Sequence, residues 1–424
     1  MLKIALALAL VALCAGQVRA ADPWPRHVID NSSRGADGVR LADVNADGRP
    51  DIVTGWEEGG VTRVYLNPGP AKANQKWPAV TVGKTPSVED AVFSDLDGDG
   101  ATDVVTCCEG KTRAMFVHWA PKDTSRYLMP DAWKTEAIPA SKGIMMWMFC
   151  FPAQIDGERG IDLVAAGKGG GAQLGWFEAP ENPRDLAAWT WHPILGVGWI
   201  MSLVLFDMDD DGDRDILATD RKGKTSGCFW LENPGPGPAL AKPWPRHDVG
   251  GAGREVMFLT QADLDGDGRR DVLVAAKPRD ILFLRRASAD GKAWQPHTIR
   301  IPETAGTTKA VTVGDIDLNG RPDVVFTCEG AKGNLSGVMW LSCRRKKVPG
   351  AFSAKRYLEP FSDAEWDAHD ISGPEGVKYD LVELVDLDAD GDLDVLTCEE
   401  SANLGLIWYE NPTRRPAQAS EPRP

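Results

Sequence analysis

Short apolar runs recur along the chain in repeating groups, with turn residues between them. The most regular run is β-branched: "DIVTG", "DVVTC", "DLVAA", "DILAT", "DVLVA", "DVVFT" and "DVLTC". Runs such as "SLVLF", "MFLTQA" and "AVTVG" precede it. A third run ends in a turn, as in "VYLNP", "GWFEAP", "CFWLENP" and "LIWYENP". A fourth carries Trp and His, as in "WTWHPIL", "WPRHDV", "WQPHTI" and "WDAHDI". Length and composition predict strands, and no helical spacing lies between them.

An acidic motif separates the first and second runs of each group. Its copies are "DVNADGRPD" from Asp43, "DLDGDGATD" from Asp95, "DMDDDGDRD" from Asp207, "DLDGDGRRD" from Asp263, "DIDLNGRPD" from Asp315 and "DLDADGDLD" from Asp386. A degenerate copy, "QIDGERGID" from Gln154, loses the first aspartate and the glycine at its sixth position. The starts are 52, 59, 53, 56, 52 and 71 residues apart. That period is too long for calcium loops packed end to end. Seven units of four short strands predict an all-β fold, a seven-bladed β-propeller of four-stranded antiparallel blades over residues 21–412. The last unit ends at "LIWYENP" without a fourth strand, and the chain begins with a spare one, "WPRHVID" from Trp24. This N-terminal strand is expected to complete blade seven and close the ring, which removes an open edge.

Composition narrows the setting. The 424 residues hold 47 Lys+Arg and 62 Asp+Glu, a formal net charge of −15. That balance argues against a nucleic-acid surface. The opening "MLKIALALALVALCAGQVRA" has a charged start, a short apolar stretch and small residues at Val18-Arg19-Ala20. It reads as a signal peptide over residues 1–20, which implies a secreted or periplasmic protein. No later segment is apolar enough to span a membrane. Seven cysteines follow Cys14, an odd number, and most end apolar runs, so buried free thiols are the simpler reading than disulfides. The tail over residues 413–424 is polar and Pro-rich and is expected to be disordered. A monomer is expected.

The acidic motif has the chemistry of a hard-cation loop. Positions 1, 3 and 5 converge side-chain oxygens, position 9 returns a carboxylate, and position 7 offers a carbonyl. Glycine at position 6 permits a sharp turn. Oxygen donors without nitrogen or sulfur suit Ca²⁺. The expected ligands are Asp43, Asn45, Asp47 and Asp51; Asp95, Asp97, Asp99 and Asp103; Asp207, Asp209, Asp211 and Asp215; Asp263, Asp265, Asp267 and Asp271; Asp315, Asp317, Asn319 and Asp323; and Asp386, Asp388, Asp390 and Asp394. About six structural ions are expected, with the Gln154 loop empty. Metal-free Asx turns are the alternative for any single copy.

The repeated "DxDGDGxxD" followed by "WYENP" resembles the FG-GAP/VCBS repeat family, over nearly the whole mature chain. The resemblance implies a β-propeller with calcium in the blade hairpins, as in the head of integrin alpha chains, and gives the same aspartates the metal role. The family includes adhesion modules, lectin-like proteins and sugar-active enzymes. The "WxxHxI…WYENP" pattern is similar to that of the propeller of aldos-2-ulose dehydratase.

A ligand face is expected at the end opposite the loops. Six residues before each motif stand Asp37, Glu89, Met148, Met201, Met257, Lys309 and Asp380. Six residues after stand Glu57, Glu109, Lys168, Arg221, Lys277, Glu329 and Glu400. Acids fall in blades six, seven, one and two, with Lys309 the exception, and methionines and bases in three, four and five. The expectation is a half-acidic, half-basic channel mouth; chance clustering of loop charge is the alternative. The connector "SKGIMMWMFCF" could wall the site or be plain core. His27, His192, His247, His297 and His369 share one repeat position and read as structural. His118 lies outside that register, as a strand histidine or a general base.

Two functions follow. One is a non-catalytic module that binds a glycan or protein. The other is a sugar-active lyase or dehydratase, with Asp380, Glu89, Lys309 or Tyr379 abstracting a proton and a cation on Asp37, Glu89 and Asp380. The insertion from Arg345 to Pro374 reads as a lid or a decorated loop.

Overall fold

The computed structural model describes residues 22–344 and 366–414. The expected signal peptide, most of the Arg345–Pro374 insertion and the end of the tail lie outside these residues. The described chain forms seven sheets of four antiparallel strands, each built from consecutive strands except the last. The first strands are Ala36–Ala42, Val88–Ser94, Met146–Ala153, Ile200–Phe206, Val256–Ala262, Thr307–Gly314 and Tyr379–Val385. Each neighbours the first strand of the next blade, and the seventh returns to the first. They therefore line the axis of a seven-bladed propeller. The second strands are buried nearly throughout, as expected for strands covered by a blade on either face.

Ring closure is as the sequence predicts. The strand Arg26–Asp30 pairs antiparallel with the last strand, Gly405–Tyr409, setting His27 opposite Trp408. Aromatic side chains on the third strands hold blades together. Trp408 donates from its indole to the Ala73 carbonyl of blade one, and Trp230 to the Gly291 carbonyl of blade five. Both indoles are essentially fully buried. Each removes roughly 150–250 Å² from water.

The repeated histidines are structural. His192, His247 and His369 stack on Trp176, Trp230 and Trp340, His297 stacks on Phe283, and His27 packs tilted against Trp408. The first three also meet Glu410, Glu178 and Glu232, from the Glu-Asn-Pro or Glu-Ala-Pro turns. His118 is fully buried between Thr106 and Thr135, and burial pushes its pKa down to about 3. It does not line the axial cavity described below and packs in the core. All seven described cysteines are buried, and no disulfide joins them. The insertion leaves blade six at Cys343 and returns at Trp366, which pair on adjacent strands. Those residues sit at the end of the blade that carries the acidic loop, and the lid or decorated loop expected between them lies outside the described residues.

Candidate functional site

The acidic loops repeat one hydrogen-bond pattern. In blade one the Asp43 carboxylate accepts from the backbone N–H groups of Asp47 and Gly48, at 3.0 and 2.8 Å. Asp95, Asp207, Asp263, Asp315 and Asp386 do the same at their own fifth and sixth positions. The sixth residue adopts a left-handed conformation in each, with φ from 78° at Gly320 to 99° at Gly212, which favours glycine. The loop thus folds its side-chain oxygens inward around one point.

Position 9 begins every second strand and has a second task that sequence reasoning missed. One oxygen of Asp51 accepts from Val44 N–H in the loop and the other from Asn67 N–H after the third strand, at 3.0 and 2.7 Å. Asp103, Asp215, Asp271 and Asp394 repeat both bonds. So does Asp162, in the degenerate blade-three loop. Because Asp162 keeps the pair of bonds without the acidic first position, this residue ties loop, second strand and third strand whether or not an ion is present.

The donor set fits a hard cation. Carboxylate oxygens of Asp95, Asp97 and Asp99 come within 4.8 Å of one another, as do those of Asp207, Asp209 and Asp215 and those of Asp263, Asp265 and Asp271. Buried oxygens of Asp209, Asp390 and Asp392 have no hydrogen-bond partner. These belong to loops four and seven, where the side chains offer only oxygen to an ion.

At the other end of the blades the sequence-aligned residues converge. A cavity of about 230 Å³ is lined by Asp37, Glu57, Glu89, Glu109, Met148, Lys168, Met201, Arg221, Met257, Lys309, Glu329 and Asp380. Of the residues counted from the motifs, Lys277 and Glu400 do not line it. They stand directly behind it: Lys277 pairs with Glu329, and Glu400 with Lys309 and Lys378. Phe149, Trp199, Phe258 and Lys378 also line the cavity, though sequence counting missed them. Phe149 and Phe258 directly follow the aligned methionines; Trp199 and Lys378 sit two residues before an aligned position, at the strand entrance. Trp147 of the connector is core instead, and Tyr379 is buried with its hydroxyl on the Glu375 carbonyl.

The acids face inward. Oxygens of Asp37, Glu57 and Glu400 lie within 4.8 Å of one another, as do those of Glu57, Glu89 and Glu109. Ammonium groups interleave with them. Lys168 meets Glu89 at 3.1 Å and also Glu109, while Lys309 meets Asp380 at 2.8 Å and Glu400 at 3.2 Å. One ammonium between Glu89 and Glu109 cannot balance both, and burial pushes Glu89 up to about 8 against the pull of Lys168. Burial likewise pushes Glu400 up to about 7 against Lys309. Burial and the charges of Asp380 and Glu400 hold the Asp37 carboxyl well above the usual range. Burial opposes ionisation of Asp380 too, but Lys309 and the bonds from Asp37 and Glu400 outweigh it and hold Asp380 well below.

The other half is apolar and basic. Trp199 carries Arg221 over its ring at 4.4 Å and Lys168 at 4.6 Å. Arg221 is held in turn by Glu255 at 2.8 Å. Three buried polar atoms of the cavity wall make no hydrogen bond: the indole nitrogen of Trp199, the Oδ1 oxygen of Asp380 and the Oε2 oxygen of Glu109, the last of which is ion-paired with Lys168.

The FG-GAP-like repeat family matches the chain over residues 43–106 and 263–326. Each match runs from one acidic loop to the second strand of the next blade. No curated protein matches the chain by sequence. Among solved structures, the chain is similar to one described as the basis of specific recognition of non-reducing terminal N-acetylglucosamine by a lectin of Agrocybe aegerita. The identity is 16%, over 73% of this chain and 77% of that one, with a TM-score of 0.40. It is also similar to BBS1N, solved in complex with ARL6DN, at 9% identity over 94% of this chain and 97% of that one, with a TM-score of 0.49. The FG-GAP-like matches thus fall in two regions, blades one to two and five to six, of a seven-bladed β-propeller.

Proposed function

We propose that this protein is an exported, calcium-stapled propeller whose axial cavity binds a small polyhydroxylated ligand, such as the terminal unit of a glycan. The observation that carries the reading is the cavity itself. It draws residues from all seven blades and places a hydrogen-bonding half against a Trp, Phe and Met half. A sugar presents the same two faces, hydroxyl edges and an apolar C–H surface. About 230 Å³ suits one sugar unit and is too small to seat a protein surface. The unpartnered Trp199 N–H and Asp380 oxygen supply one donor and one acceptor for hydroxyl groups. Export rests on the N-terminal sequence pattern. Calcium in six loops rests on their oxygen donor sets; it supplies cross-linking charge there and takes no part at the opposite face.

The test is a glycan-array screen of the mature protein, followed by calorimetry with the best saccharide. Binding that Trp199→Ala weakens at least tenfold, with the fold intact, supports the reading. Binding unaffected by that change, or no saccharide bound, overturns it.

A second reading, a sugar lyase or dehydratase, is favoured by one feature. Asp37 and Asp380 are adjacent carboxyl groups whose proton affinities are driven in opposite directions. Such a pair can hold an acid and a base at one pH. Formation of an unsaturated sugar product that Asp37→Asn abolishes would decide for it.

A further inference from the structure

The blade-three loop is the exception to the acidic pattern, and its first residue behaves unlike any other. Gln154 Oε1 accepts from the backbone N–H groups of Asp156 and Gly157, at 3.1 and 3.0 Å. Its Nε2 donates to the carbonyl oxygens of Glu158 and Gly160, both at 2.7 Å. Glu158 and Gly160 occupy loop positions 5 and 7. Position 7 is the one whose carbonyl would face an ion in the other loops. An aspartate at position 1 cannot make these bonds, because an ionised carboxylate only accepts.

We infer that the Gln154 amide takes the place of the cation in blade three, so that this hairpin closes without metal. One side chain supplies both halves of the cross-link: its oxygen caps the N–H groups of positions 3 and 4, where the aspartates cap those of positions 5 and 6, and its nitrogen donates to the carbonyl oxygens that an ion would otherwise draw in. The neighbouring positions agree. Arg159 stands where the other loops have glycine, in a left-handed conformation with φ of 54°. Its guanidinium reaches out to Glu178 at 2.9 Å and leaves the loop interior to the amide. Asp162 keeps its two backbone bonds, so the hairpin remains tied to the third strand.

The inference rests on the calcium reading of the other six loops, and one experiment separates the two. Bound calcium per chain is counted by equilibrium dialysis with elemental analysis, for the wild type and for the double variant Gln154→Asp with Arg159→Gly. The expected counts are six and seven. Zero in the wild type would remove the calcium reading and the inference with it. Seven in the wild type, or six in a folded double variant, would overturn the inference alone. Gln154→Ala gives an independent check should the double variant not fold. It is expected to leave the count at six and lower Tm equally in calcium and in chelator; an unchanged Tm in chelator would show that the amide bears no load and overturn the inference.

Discussion

The carboxyl groups of Asp37 and Asp380 lie side by side where blade seven adjoins blade one, the charge of Asp380 raising the cost of ionising Asp37, with Lys309 2.8 Å from Asp380. The two residues are 343 positions apart in the chain, yet each begins the same inner strand of its own blade. Ring closure alone makes them neighbours. Lys309 fixes which of the two is ionised. Replacing Lys309 with Met removes the charge that holds Asp380 down. Asp380 should then gain a proton near neutral pH, and ligand affinity should fall at least tenfold, read by calorimetry beside a pH titration of the carboxyl carbons by NMR.

Removal of calcium should cost stability at the loop end. Chelated protein is expected to melt well below the calcium form, with the difference growing with free calcium as linkage requires. Identical melting curves with and without the ion would leave the aspartates as turn residues only.

The Asp162 bonds predict a loss independent of metal. Asp162→Ala leaves the Ile155 and Ala179 N–H groups without their partners in a buried setting. Each such loss costs about 1–3 kcal/mol. The drop in Tm should be the same in calcium and in chelator. A drop confined to calcium would mean that Asp162 serves an ion after all.

The channel mouth predicts a pH dependence. Glu89 and Glu400 have folded pKa values raised to about 8 and about 7, whereas an unfolded Glu titrates at about 4.3. Between those limits the folded state holds protons that the unfolded state has released. Stability from this source is therefore complete below pH ~4.3 and is lost as pH rises through about 7 to 8. Glu89→Gln should flatten the decline of Tm between pH 5 and 8.5. An unchanged slope would place the excess proton elsewhere in the cluster.

Backbone strain gives a stabilising change. Position 4 of the loops is left-handed throughout, and Ala46, Asp210, Leu318 and Ala389 adopt it without being glycine, at φ of 58°, 63°, 56° and 60°. The conformation costs an L-residue roughly 1–2 kcal/mol, partly offset by the greater entropy of glycine in the unfolded chain. Leu318→Gly should raise Tm by a few degrees in thermal unfolding; a lower Tm would mean that the Leu318 side chain contributes packing that outweighs the strain.

The sequence made the blades legible because each strand is short, apolar and bounded by turn residues, and because the acidic motif marks the same turn every time. Counting outward from that motif was enough to find most of the cavity lining, since strands of equal length end at equal height. Trp199 and Lys378 escaped because they sit at strand entrances, beyond the register counted. The double duty of position 9 was hidden because an ion ligand and a backbone acceptor call for the same residue. Asp162 carried the clue: it persists in the loop that has lost its first aspartate. The amide cross-link of Gln154 was out of reach, because its bonds go to carbonyl groups that any sequence would supply.

The pairing of Arg26–Asp30 with Gly405–Tyr409 also sets an order of events. The first strand made has no partner until nearly the whole chain exists, and it must stay unpaired, edge exposed, while every other blade acquires its four strands locally. Clipping either terminus opens the same seam, so the two ends of the polypeptide form a single point of vulnerability for the entire ring.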